Sequence, residues 1–105
     1  MGVIASKAVR DSARGEECTL NIAGVCNYRS ETTVLVHLPD ESKGMSTKAD
    51  DISSCYGCSD CHDMIDGRSK NRLSAEEREW YMRRAMVRTW RKLHEKGLLK
   101  IKGAL

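Results

Sequence analysis

Between Cys55 and Asp66 the chain reads CYGCSDCHDMID, placing three cysteines, one histidine and three aspartates in twelve residues. Thiolates, imidazoles and carboxylates are the side chains that hold metal ions. With Cys18 and Cys26 upstream there are five thiols, one more than a tetrahedral zinc takes. Two pairings of the cluster are open, Cys55 with Cys58 or Cys58 with Cys61. The second is favoured, because Cys58 and Cys61 stand where a knuckle would run into a helix and both sulfurs can face one ion. Joined by Cys18 and Cys26, they make a closed four-thiolate site of the structural type. The seven residues between Cys18 and Cys26 make that half wider than a standard knuckle. Cys55 is then expected to be a small buried side chain.

His62 and Asp66 remain, spaced i and i+4. On a helix that spacing stacks two side chains on one face. An imidazole and a carboxylate so placed can hold a second ion with water positions open, as hydrolysis requires. His37 ends the apolar stretch TTVLVH. Taken alone, a histidine there is more often a packed side chain than a base.

These groups need elements to position them. Residues 5–14 suit a short helix ending near Gly15. Residues 18–22 (CTLNI) suit a short strand, and 32–38 (TTVLVHL) a better one, β-branched and stopped by Pro39. A polar loop is expected over 39–51. A helix then opens in SDCHDMID, capped by Ser59 or Asp60. The longest helix is expected over 74–96. It opens on the capping box Ser74-Ala-Glu-Glu77 and is stopped by Gly97. Met82, Met86, Trp90 and Leu93 form its core-facing stripe. Arg84, Arg88 and Arg91 form a second stripe, without Asn or Gln at matching spacing, which suits phosphate contact rather than base reading. LLKI, 98–101, is expected as a closing strand.

The chain has 105 residues, enough for one small domain with a thin core, for which a bound metal is a useful staple. Nowhere does it have an apolar run long enough for a membrane span. The opening residues carry no signal-peptide core. Reduced cysteines, as ligands, and a cytoplasmic location are therefore expected. Residues 1–66 balance at −5 and residues 67–105 at +8. An acidic half rich in ligands joined to a basic half suits a metal enzyme acting on a polyanion.

A strand ending in histidine, a polar loop, then Cys-x-x-Cys-His opening a helix resembles the HNH, or ββα-metal, endonuclease motif. More narrowly, ARGEECTLNIAGVCNYRSETTVLVH and CSDCHDMID, with a KGLLKI-like end, resemble the small phage and prophage nucleases typified by YbcO. The resemblance covers most of the chain from about residue 13. It implies a small α+β fold, a zinc-stabilised ββα-metal (HNH-like) core over about 16–70, with the long basic helix following at about 74–96 in one 1–105 domain. It implies structural Zn²⁺ on Cys18, Cys26, Cys58 and Cys61, His37 as general base, and catalytic Mg²⁺ or Mn²⁺ on His62 and Asp66. Many HNH enzymes have Asp just before the first histidine, where this chain has Val36. The middle Asn of the motif has no equivalent, and Asp50 and Asp51 occur there instead. Asp51 is expected to orient His37 through the ring Nδ1–H. The implied reaction is hydrolysis of DNA phosphodiester bonds in a bacterial host cell, with RNA the other polymer and no membrane partner. A non-catalytic zinc-stabilised nucleic-acid-binding or adaptor module, also of phage or prophage origin, explains the cysteines and the basic helix equally well. It leaves His37, His62 and Asp66 unused.

Overall fold

The structure, a computed structural model, describes residues 3–39 and 50–104. The polar loop expected over 39–51 lies mostly outside the described residues. Helix α1 spans Lys7–Ser12, capped by the Ser6 side chain, which accepts from the Val9 amide. A 3₁₀ turn at Ser30–Thr32 leads into strand β1, Val34–His37. β1 pairs antiparallel with β2, Ser54–Gly57, setting Leu35 opposite Tyr56, Val36 opposite Cys55 and His37 opposite Ser54. Helices α2, Ser59–Ile65, and α3, Ala75–Glu95, complete a small α+β fold.

A two-stranded sheet is marginal in water unless its faces are covered. Here both are. Residues opposed across an antiparallel pair share a face, and faces alternate along each strand. Val36 and Cys55 thus face one side, packing with Leu20, Cys58, Cys61, Met64 and Ile65. Leu35 and Tyr56 face the other, against Val9, Ala13 and Leu93. α3 serves both, through Met82 and Ala85 in the first cluster and Leu93 in the second. A Cβ on Gly57 would lie 2.7 Å from Val36 Cγ2 and 3.0 Å from Leu20 Cδ1. The last residue of β2 must therefore lack a side chain if the cysteine loop is to sit against the sheet.

Several elements differ from the expectation. CTLNI is not a strand. Thr19 bonds through its amide to the Tyr56 carbonyl at 2.9 Å, but Asn21 then turns into the left-handed region at φ 40, which ends any extension. β2 itself was hidden among the cysteines, since SCYG carries no alternating pattern. α2 is capped by Cys58, not by Ser59 or Asp60: the Cys58 sulfur accepts from the Cys61 amide at 3.4 Å. LLKI is not a strand either. The Leu98 and Leu99 amides turn back to the Leu93 carbonyl at 2.9 and 3.2 Å, closing the end of α3. The capping box of Ser74 and Glu77 is present in full.

The buried face of α3 is Met82, Ala85, Thr89 and Leu93, with Met86 and Trp90 half-buried beside it. Thr89 falls outside the expected apolar stripe because a hydroxyl reads as surface. Its oxygen lies 2.8 Å from Thr19 Oγ1, and the Tyr56 amide donates to both hydroxyls at 3.1 Å. β2 is an edge strand, and these two threonines satisfy a buried amide that no third strand reaches among the described residues.

Candidate functional site

Cys18, Cys26, Cys58 and Cys61 converge, all four sulfurs lying within 4.8 Å of one another. Cys26 and Cys58 are 3.9 Å apart. Zinc–sulfur bonds of ~2.3 Å in a tetrahedron set sulfurs roughly 3.8 Å apart, so the set fits zinc. The turn at Asn21 aims amides at two of them, Asn21 to Cys18 at 3.4 Å and Ile22 to Cys61 at 3.5 Å. Hydrogen bonding from Cys61 lowers the Cys18 thiol to about 5, whereas burial pushes Cys26 up to about 11. Four crowded thiols cannot all be satisfied at one charge state, and a divalent cation removes that conflict. Cys55 lies outside the set, fully buried on β2.

At the end of β1, His37 Nε2 lies 2.8 Å from Asp51 Oδ1. Asp51 is only 4% exposed, and its other oxygen accepts from the Ser6 amide at 2.6 Å and the Arg10 guanidinium at 3.0 Å. Burial pushes this carboxyl up, but the bonds from His37 and Ser6 and the Arg10 charge outweigh it and hold the group below the ordinary carboxylate range. An ionised carboxylate only accepts, so Nε2 carries the hydrogen and Nδ1 of the neutral ring keeps the lone pair. This corrects the expected Nδ1–H contact. Asp51 is held at the start of α1, and Nε2 is the ring nitrogen that reaches furthest from the backbone.

His62 Nε2 and Asp66 Oδ2 lie 3.0 Å apart on α2 and its C-cap, each about one-third exposed. Two neighbouring ligands of an octahedral ion at ~2.1 Å are roughly 3.0 Å apart, so the pair has the spacing for one. Arg68 bonds the same Asp66 oxygen at 2.8 Å and also pairs with Asp63. A cation held there would have to share that oxygen with the Arg68 guanidinium. Among the described residues, the four cysteines are the cluster with three or more potential ligands. By strand alternation His37 follows Leu35 onto the α1 face, whereas Met64 and Ile65 pack α2 onto the Val36 face. His37 and His62 each bond a carboxylate of their own, Asp51 and Asp66.

The three arginines also separate. Arg84 is partly buried and donates to the carbonyls of Leu20 and Asn21 at 3.0 and 3.3 Å. Its guanidinium lies 4.5 Å from the Trp80 ring centroid and 5.2 Å from that of Tyr81. Arg88 and Arg91 are exposed and line a cleft with Cys18 and Asn21.

A family model described as "Putative nuclease YbcO" matches residues 7–98. The chain belongs to the YbcO family. Two curated YbcO proteins, "Putative nuclease YbcO" of Escherichia coli (strain K12) and "Putative nuclease ybcO" of Enterobacteria phage 82, are each 45% identical over 62 residues. That match covers 58% of this chain and 65% of theirs, just under two thirds of the relatives' length. A solved structure described as "Structure of a putative bacteriophage protein from Escherichia coli str. K-12 substr. MG1655" matches with a TM-score of 0.70 at 33% identity. It covers 86% of this chain and 100% of that one.

Within this YbcO-family fold, three supporting residues escaped the sequence reading. Ser6 and Arg10 fix Asp51 from 45 and 41 positions away. Asn27 donates to Ser59 and Asp60, both at 3.0 Å, tying the cysteine loop to the first turn of α2. Only the capping role of Ser6 had a local signal, its place before a helix start.

Proposed function

We propose that this YbcO-family chain is a metal-dependent endonuclease of the HNH type that hydrolyses DNA phosphodiester bonds. The observation that carries the reading is the His37–Asp51 pair, a partly exposed imidazole oriented by a buried carboxylate. The relatives' description as nucleases supports it. In this reading, His37 Nδ1 takes the proton of the attacking water while Asp51 stabilises the imidazolium that forms. His62 and Asp66 are the ligands for Mg²⁺ or Mn²⁺, which when bound supplies positive charge to the developing phosphate oxygens. Cys18, Cys26, Cys58 and Cys61 hold a structural zinc. Phosphate contact falls to Arg88 and Arg91, with Arg84 engaged on the cysteine loop.

Supercoiled plasmid, incubated with zinc-loaded protein with and without added Mg²⁺ or Mn²⁺, tests the proposal. Metal-dependent nicking is expected. His37→Ala should lower it by about 10²–10⁴, with zinc content and DNA affinity near parental. A His37→Ala protein that cuts like the parent ends this mechanism. A second reading, a non-catalytic zinc-stabilised nucleic-acid-binding or adaptor module, is favoured by the Arg68 bond to Asp66. It predicts plasmid binding with no nicking at any metal concentration.

A further inference from the structure

Two clefts lie side by side over the cysteine set. One, of about 260 Å³, is bounded by Tyr28, Arg29 and Ser30. The other, of about 350 Å³, is bounded by Arg88, Arg91 and Lys92. Glu17, Cys18 and Asn21 line both, so they form one groove with an aromatic end and a cationic end. We propose that this groove binds an unpaired segment of nucleic acid, one base stacking on Tyr28 and the neighbouring phosphates meeting Arg88 and Arg91. The proposal rests on the nucleic-acid reading above, not on its chemistry of cleavage.

Tyr28 is 79% exposed and belongs to neither hydrophobic cluster. Its backbone sits at φ 57, a region that residues with a Cβ avoid. The turn has a local use, because the Tyr28 amide faces the Cys26 sulfur. Glycine would serve that turn without strain, so the fold does not require the ring. A bare aromatic ring held out on a strained backbone is a ready stacking platform, and such strain collects at ligand sites. Asn27 fixes the platform: its Oδ1 accepts from the Arg29 amide at 2.8 Å while its Nδ2 grips Ser59 and Asp60. Tyr28 is thereby tied to the turn that leads into Cys61 and His62.

The groove selects an unpaired strand for two reasons. In a duplex the base faces are already stacked on one another, so only a single strand can offer one to Tyr28. The sulfurs of Cys18 and Cys26 lie between the two ends and suit a neutral base better than a phosphate. Glu17 and Glu95 also line the groove, against Arg29, Arg88, Arg91 and Lys92, and a zinc on four thiolates adds two negative charges, so the groove holds no net cationic surplus. Stacking therefore carries a large share of the affinity.

The test is fluorescence anisotropy of labelled oligo-dT, oligo-U and a short duplex with zinc-loaded protein, without added Mg²⁺ or Mn²⁺. Tyr28→Gly relieves the backbone, so it should melt no lower than the parent and keep its zinc. It should nevertheless lose roughly fivefold or more on single strands and little on duplex, while Tyr28→Phe stays near parental. Loss on both polymers shows that the groove reads the strand, and loss on one identifies which polymer it takes. The Arg88→Ala, Arg91→Ala double variant should flatten the single-strand salt slope by about 1.4. Parental single-strand binding by Tyr28→Gly overturns the proposal, even if plasmid cutting is intact. A protein that never cuts but whose Tyr28→Gly variant sheds single strands keeps the groove and loses the nuclease reading.

Discussion

His37 takes its chemical character from Asp51, fourteen positions along the chain, and Asp51 takes its own from α1. The carboxyl titrates below its ordinary value in the folded protein. Its contribution to stability is therefore complete above the unfolded value of about 4 and is lost as pH falls through the lower, folded one. Asp51→Asn should be less stable than the parent at neutral pH, with the gap narrowing as the pH drops below about 4. Urea midpoints across that range check this, and a gap independent of pH would show that the charge on Asp51 is not what stabilises the fold. The same variant should slow any nicking, because an amide neither holds the ring's tautomer as firmly nor stabilises the imidazolium.

At the scale of elements, α3 is more than a basic surface. Its arginines divide according to what they touch. Arg84 reaches the carbonyls of Leu20 and Asn21, the turn that aims amides at Cys18 and Cys61, and packs over Trp80 and Tyr81. Arg84→Ala should therefore cost about 1–2 kcal/mol of stability and speed zinc loss to a chelator, while leaving the salt dependence of nucleic-acid binding nearly unchanged. Denaturant unfolding and a chelator-competition time course measure the first two. If Arg84→Ala instead flattens the salt slope at parental stability, the guanidinium is a phosphate contact after all.

Across the whole molecule, one site joins segments that lie far apart in the chain. The cysteines bring the loop from Cys18 to Cys26 against Cys58 and Cys61 at the start of α2, beneath a thin core with no Phe. For such a chain, metal binding is folding free energy, on the order of 10 kcal/mol or more for a structural zinc. Stripping the metal should unfold the protein wholly or in part, with near one zinc per chain in the parent and far less in Cys61→Ser. Circular dichroism and elemental analysis follow both. Folded protein isolated without metal would show that this core stands alone.

The pieces that rest on local rules are legible in the residues alone. The capping box fixed the start of α3 at Ser74. β-branching located the strand that ends in His37 but not its bounds, which are 34–37 rather than 32–38. The place of Cys58 and Cys61 before a helix favoured them over Cys55. Tertiary structure alone decided the rest, because those choices depend on partners far apart in the chain. SCYG becomes a strand only when β1 lies beside it, and CTLNI fails to become one because Asn21 must turn its amide toward a cysteine sulfur. Thr89 is buried because the edge amide of Tyr56 needs an acceptor. Which nitrogen of His37 faces Asp51 depends on where α1 holds the carboxylate, and which arginine is free depends on where the cysteine loop comes to rest. Spacing along a chain specifies faces of single elements; which faces meet is settled by the packing that buries the core.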